Sequence, residues 1–162
     1  MNHPGFALTH LTPSDVRVTV RDLDGRSVVW AEFDEDDRPT RLTSTSSEQL
    51  VAAAAAARTK RLPLVMVLST SGADINEGIP ALHAWGRVAA ALTECSGVVP
   101  TAAIVSGPAV SGPALLLGIA DFAVMTENSY AFVNGPTMVE EFTGVRIGIE
   151  ELGGAAHHAR YT

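Results

Sequence analysis

The residues in this sequence that could do chemistry are glycines, and what they offer is backbone. In Gly97-Val-Val-Pro-Thr-Ala-Ala-Ile-Val-Ser-Gly-Pro-Ala-Val-Ser-Gly-Pro-Ala114, the apolar run Ala102 to Val105 is bounded by Pro100 and Gly107. Four apolar residues in a row suit a short strand covered on both faces of an α/β sheet. The turn that follows, Ser106 to Gly112, contains two glycines, and Pro113 then stands at a first helical position, where its missing N–H costs nothing. Free N–H groups at Gly112 and Ala114, at the positive end of the helix, would face an incoming oxygen. That is the layout of an oxyanion hole, although a plain tight strand-to-helix connection has the same composition.

A second turn of the same kind lies upstream. Leu64 to Leu68 is a continuous apolar run followed by the small residues Ser69, Thr70, Ser71, Gly72 and Ala73. If the two runs are adjacent parallel strands, both turns open at the carboxyl edge of the sheet, where open α/β folds bind ligands. Gly72 and Gly112 then approach each other. Donors from two turns converging on one point are what an enolate or tetrahedral oxyanion requires, since they are aimed before charge develops.

Other candidate chemistry is sparse. His157 and His158 are adjacent, so their side chains diverge, and no metal site is expected from them. Glu140 with Glu141, and Glu150 with Glu151, are tempting acid–base pairs, yet neighbouring residues on a helix do not face each other and surface carboxylates are common. No Ser-His-Asp set, phosphate loop or dinucleotide fingerprint is legible. Cys95 is the only cysteine, which excludes an intrachain disulfide and fits a reducing cytoplasm; it reads as a small hydrophobe near a helix end.

The elements that must position the turns follow from patterning. Val16 to Val20 and Ser27 to Phe33 alternate, with Asp22-Leu-Asp-Gly25 between them, and predict a hairpin at an exposed sheet edge. Asp34 to Asp37 reads as a solvated acidic loop. Thr45 and Glu48 form a capping box before an alanine-rich helix over Leu50 to Arg58, whose small residues allow close approach to a sheet. A second helix begins near Pro80, with Leu82, Trp85, Ala89 and Leu92 as its apolar stripe and His83 and Trp85 read as core packing. A third runs from Pro113 to near Ile119, before a strand over Phe122 to Met125. Strand, helix and strand, twice over, give parallel βαβ units.

Composition sets the outer bounds. At 162 residues and 46% hydrophobic, the chain suits one α/β domain with a sizeable core. A formal net charge of −7 argues against nucleic acid and anionic membrane as partners. Most basic residues, Arg17 to Arg61, lie in the first half; they read as scattered solubility, with a rim for phosphates as the alternative. No signal segment, membrane-spanning run, linker or internal repeat is visible.

Taken in order, GADINEG (Gly72 to Gly78), SGVVP (Ser96 to Pro100), SGPAVSGPA (Ser106 to Ala114), ADFAVM (Ala120 to Met125), NGP (Asn134 to Pro136), FTG (Phe142 to Gly144) and EELGGAAHH (Glu150 to His158) resemble a known family. It is the carboxyltransferase (β) subunit of biotin-dependent acyl-CoA carboxylases, of the propionyl-CoA carboxylase and methylmalonyl-CoA carboxyltransferase type, in the crotonase superfamily. The fragments are weak singly and specific as an ordered set. The resemblance implies a crotonase-like α/β fold, a spiral of ββα turns with a mostly parallel sheet flanked by helices. Residues 1–162 then form a single domain corresponding to the acyl-CoA-binding N-terminal half. By the same resemblance, Gly72 with Ala73, and Ser111 with Gly112, fall on the two turns that bind the acyl thioester oxygen. His158 falls on a histidine after the family's Gly-Gly-Ala.

The departures also carry information. Where the family's first turn ends in arginine this chain has Asp74, and Ser71 also differs; where its second turn has a glycine pair and alanine, this chain has Ser111, Gly112 and Pro113. If Gly112 donates, the hole survives; if the next residue donates, Pro113 has removed the donor. The resemblance further implies that the biotin-side half and a leading segment are missing. The implied partners are an acyl-CoA or acyl carrier protein thioester, and either further copies of the chain or a separate C-terminal-half chain with a biotin carrier. Apolar Ala131 to Val133 would be covered by such a partner. Biotin enters only through a partner subunit. Three readings follow: a carboxyltransferase-type subunit that stabilises an acyl-thioester enolate, a biotin-independent malonyl-thioester decarboxylase, and a non-catalytic scaffold that keeps the fold.

Overall fold

The computed structural model describes residues 15–34 and 40–162. The expected acidic loop falls largely on residues 35–39, outside the described residues. Strands β1 (Val16–Leu23) and β2 (Arg26–Phe33) pair antiparallel, with Val16 opposite Phe33 and Leu23 opposite Arg26. Their two-residue turn, Asp24-Gly25, has φ of 51° and 80°, as a type I′ turn demands, and the Gly25 N–H donates to Asp22 Oδ1 at 2.8 Å. Among the described strands β1 stands at one end of the sheet order, where the alternating pattern had put the hairpin.

After β3 (Thr40–Leu42), helix α1 (Ser44–Lys60) starts earlier than its alanine run suggested. Its N-cap is Thr43, whose Oγ1 accepts from the Ser46 N–H at 3.1 Å, so the expected Thr45–Glu48 box is not the cap. Thr43 has the extended backbone a cap requires, whereas Thr45 already lies inside the first turn. Leu50, Ala53, Ala54 and Ala57 form the buried face, and their small size lets α1 lie close to the sheet.

Helix α2 (Ile79–Thr93) follows β4 (Leu64–Ala73), with Pro80 in its first turn as expected. Its buried row is Ala81, Ala84, Val88 and Leu92. The predicted stripe is right at Leu92 and at its half-buried members Trp85 and Ala89, and wrong at Leu82, which is 63% exposed. His83 is also exposed and not a core residue. Two alanines, not a leucine, face inward because α2 packs closely against α1.

The next strand, β5 (Thr101–Val110), leads into α3 (Gly112–Leu116). Here α3 is shorter than predicted; Leu117 to Ile119 continue as turns. The chain finishes with β6 (Phe122–Met125), β7 (Tyr130–Phe132), α4 (Pro136–Thr143), α5 (Ile149–Gly153) and α6 (Ala155–Tyr161). The sheet order is β1-β2-β4-β5-β6, with β3 on β4 and β7 on β5; every pair except β1–β2 is parallel. This is the expected mostly parallel α/β architecture. The core lies between the sheet and helices α1 and α2, around Leu50, Met66, Leu68, Leu92 and Cys95. Among the described residues no helix is long and apolar enough to cross a membrane.

Candidate active site

Both central strands outrun their predicted ends. β4 continues through Gly72 and Ala73, and β5 through Gly107 to Val110, so the two glycine segments are strand ends and not free loops. Leu68 pairs Val105 and Thr70 pairs Ala109, so β5 advances four residues (105 to 109) while β4 advances two (68 to 70). The bulge bends the strand ends together. At Gly107 a Cβ would stand 2.5 Å from Ser69 Oγ and 3.3 Å from Ser69 Cβ, so a side chain there would require the Ser69 hydroxyl to rotate aside.

The two turns meet. Gly72 has φ +106°, and a Cβ built on it would lie 3.1 Å from the Val110 carbonyl oxygen and 3.4 Å from Ser111 Cβ. Adjacent parallel strands with converging glycine turns are what the two apolar runs predicted.

Accounting for the N–H groups separates the candidates. The Gly72 N–H donates to Thr70 Oγ1 at 3.2 Å. Because the Asp74 N–H donates to the Leu42 carbonyl of β3 at 3.0 Å, strand alternation turns the Ala73 N–H the other way, toward the β5 side. On the second turn the Ser111 N–H is held by the Phe132 carbonyl at 3.0 Å and the Ala114 N–H by the Ser111 carbonyl at 3.1 Å. Pro113 has no N–H, and Gly112, buried, has an N–H with no acceptor among the described residues. Thus Ala114, expected as a donor, is occupied.

Neighbouring elements hold this geometry. The Trp85 ring of α2 lies against Gly112, where a Cβ would sit 2.8 Å from Cδ2 and 2.9 Å from Cε2. Its reading as core packing is right in part: the ring also fixes how closely α2 approaches the turn. Asp74, the acidic departure, closes the loop after β4. Its Oδ1 accepts from the Asn76 N–H and Nδ2 at 3.0 Å each and from Arg41 at 3.2 Å. The Asn76 backbone N–H, more than Arg41, holds the Asp74 carboxyl below its ordinary range. Glu77 Oε2 accepts from the Ser44 N–H at 2.7 Å and its hydroxyl at 2.6 Å, tying the same loop to the start of α1.

His158 ties the last helix to the sheet. His158 Nε2 lies 2.9 Å from the Ala131 carbonyl and Nδ1 2.9 Å from Thr162 Oγ1, so α6 is pinned to β7, the strand that holds Ser111. A side chain on Gly153 would overlap the Ala131 carbonyl, which explains the Gly153-Gly154 pair as a close approach. Ala131, expected to need a partner's cover, is already buried by this packing; Val133 stays 46% exposed, as does Phe122 of β6 at 64%. Glu140 pairs with Arg146 at 2.6 Å, and Glu150 and Glu151 stand exposed in the first turn of α5. Cys95 is fully buried, its thiol 3.6 Å from the Ala54 carbonyl, and burial raises its pKa.

Comparison with known proteins gives a consistent result. A family described as the carboxyl transferase domain matches residues 11–162. The methylmalonyl-CoA carboxyltransferase 12S subunit of Propionibacterium freudenreichii subsp. shermanii is 33% identical over 149 residues, covering 91% of this chain and 28% of that protein. The methylmalonyl-CoA decarboxylase subunit alpha of Veillonella parvula is 34% identical over 97 residues, covering 59% of this chain and 19% of that protein. Among solved structures, the transcarboxylase 12S hexamer assembly with methylmalonyl-coenzyme A and methylmalonic acid bound superposes with a TM-score of 0.86 at 31% identity, covering 89% of this chain and 28% of the other. The chain therefore spans under a third of the length of these relatives.

Proposed function

This chain belongs to the carboxyl transferase domain family, and we propose that it forms the acyl-CoA-binding half of a carboxyltransferase, residues 1–162 acting as one crotonase-like domain. In this reading the thioester oxygen sits between the N–H groups of Gly112 and Ala73. The observation that carries it is the meeting of the two strand ends, with the Gly112 N–H left without an acceptor among the described residues.

The chemistry follows from charge. When the α-carbon of an acyl thioester loses a proton or a carboxyl group, the electron pair left behind delocalises onto the thioester oxygen. Two prealigned N–H donors lower that barrier, and loss of one typically costs about 10²–10³-fold in rate. The donors serve both directions, since adding and removing CO₂ pass through the same enolate. Gly72 supplies the turn geometry that aims Ala73, and Trp85 backs Gly112.

Coenzyme A as the carrier is supported by the substrates named for the two relatives and the bound structure. Carboxybiotin would be presented by a partner chain, and no residue described here is assigned to hold it. Exposed Phe122, Val124, Val133 and Phe142 supply apolar surface for further copies of the chain or a C-terminal-half subunit. A reducing cytoplasmic setting agrees with the free thiol of Cys95. The second reading is a biotin-independent decarboxylase; the likeness to the Veillonella protein, named a methylmalonyl-CoA decarboxylase subunit, supports loss of CO₂ as the reaction and says nothing of biotin. It needs only the hole and a dry place for the leaving carboxylate.

The test is CO₂ release from methylmalonyl-CoA, and carboxyl transfer from an added carboxylated biotin carrier to propionyl-CoA, by the chain alone and with a candidate C-terminal-half partner, with mass followed by light scattering. Transfer that appears only in a complex supports the half-subunit reading. Decarboxylation by a stable monomer supports the second reading, and no turnover or thioester binding under either condition refutes both.

A further inference from the structure

Three non-glycine residues among those described have positive φ: Asp24, Arg61 and Ser111. The first is a hairpin-turn residue, and Arg61, at φ 55° and ψ 40°, ends α1 in the ordinary left-handed region. Ser111 differs. At φ 63° and ψ −129° it occupies backbone space that glycine tolerates and a side chain does not. Its N–H bond to the Phe132 carbonyl and the paired register of Val110 with Phe132 hold it there. The chain thus keeps a side chain where glycine would be more stable.

What that side chain offers is a hydroxyl. Ser111 is exposed, its Oγ has no partner among the described residues, and its Cβ is 3.4 Å from the Cβ position of Gly72, at the seam of the two turns. The same turn is short of donors, because Pro113 has none and Ala114 has spent its own. No histidine or carboxylate among the described residues is bonded to the Ser111 hydroxyl. It therefore lacks the adjacent base a nucleophile needs, while a lone hydroxyl remains a competent donor.

We propose that the Ser111 hydroxyl donates a hydrogen bond to the thioester oxygen, supplying from a side chain the donor that Pro113 cannot. The inference rests on the two converging turns being the thioester site. Its role differs from the Ser111 N–H, which the Phe132 carbonyl has taken.

The experiment compares binding of propionyl-CoA with its S-propyl thioether analogue, which lacks the carbonyl oxygen, to the full chain by calorimetry. Wild type is expected to prefer the thioester. In S111A, which keeps Cβ and loses only the hydroxyl, the preference should shrink by about tenfold while thioether affinity stays constant. S111G should show the same loss together with a higher melting temperature, because strain is relieved. Restoring a backbone donor in S111A/P113A should recover part of the preference. An unchanged preference in S111A and S111G overturns the role of the hydroxyl and leaves the site reading intact. A wild type with no preference for the thioester overturns the site reading itself.

Discussion

Replacing Gly72 with alanine tests how tightly the two turns are locked together. Two costs add. A side chain at φ +106° costs about 1–3 kcal/mol in backbone strain. The new Cβ also sits 3.1 Å from the Val110 carbonyl oxygen, a strand atom that cannot rotate aside, which adds about 1–3 kcal/mol of overpacking. A stiffer unfolded chain offsets about 0.4–1 kcal/mol. The net is a loss of about 1–5.5 kcal/mol, or a fall in Tm of about 2–20 °C for a domain of this size. The control is G86A in α2, where a Cβ meets nothing within 4 Å and φ is ordinary. It should gain about 0.5–1 kcal/mol from helix propensity alone. Thermal melts by circular dichroism of the three proteins decide the matter. If G72A melts with wild type while G86A rises, the Gly72–Val110 contact does not constrain the fold.

The G112A substitution presses a methyl on the Trp85 ring, so it should weaken thioester binding; in a denaturant cycle with W85A its cost should fall, with a coupling of about 0.5–3 kcal/mol. Asp74 has a lowered folded-state pKa, so its stabilising contribution is fully present above the ordinary carboxylate value and lost as pH falls through the lowered one. Urea unfolding should therefore separate wild type from D74N at neutral pH and not in strong acid. Iodoacetamide should label Cys95 only as the chain unfolds, read by mass spectrometry, because its thiol is buried and its pKa raised. F122D should lower the mass measured by light scattering if β6 contributes to association, and an unchanged mass would remove β6 from the interface.

Much of the fold was legible because its strands are short apolar runs with turn residues at their ends. Leu64 to Leu68 and Ala102 to Val105 were found, and their adjacency followed from the parallel βαβ order. What failed was local and has local causes. The strands run on through Gly72 and Gly107 because a bulge lets glycine continue a ladder that composition reads as broken. Thr43 took the cap from Thr45 because a cap is set by backbone dihedrals, which side-chain type constrains only weakly. Leu82 and His83 were misplaced by a single step around α2, since two alanines leave hydrophobic periodicity little contrast. In the site, Gly112 and Ala114 were expected as free donors, and the resemblance put Gly72, Ala73, Ser111 and Gly112 on the two turns; Ala114 is occupied. Which N–H groups are already spent depends on β3 and β7, whose pairing no local pattern announces. The contact of Trp85 with Gly112 was equally invisible, being between helix and turn.

The central claim is that Ala73 and Gly112 present their N–H groups to one thioester oxygen. Amide resonances of the ¹⁵N-labelled chain, titrated with propionyl-CoA and in parallel with free coenzyme A, test this most directly. The account predicts that the Ala73 and Gly112 amides shift downfield with the thioester and stay in place with coenzyme A alone, while the Ser111 amide, bound to Phe132, moves little. Equal shifts with both ligands, or thioester-dependent shifts confined to amides away from these two turns, would contradict it.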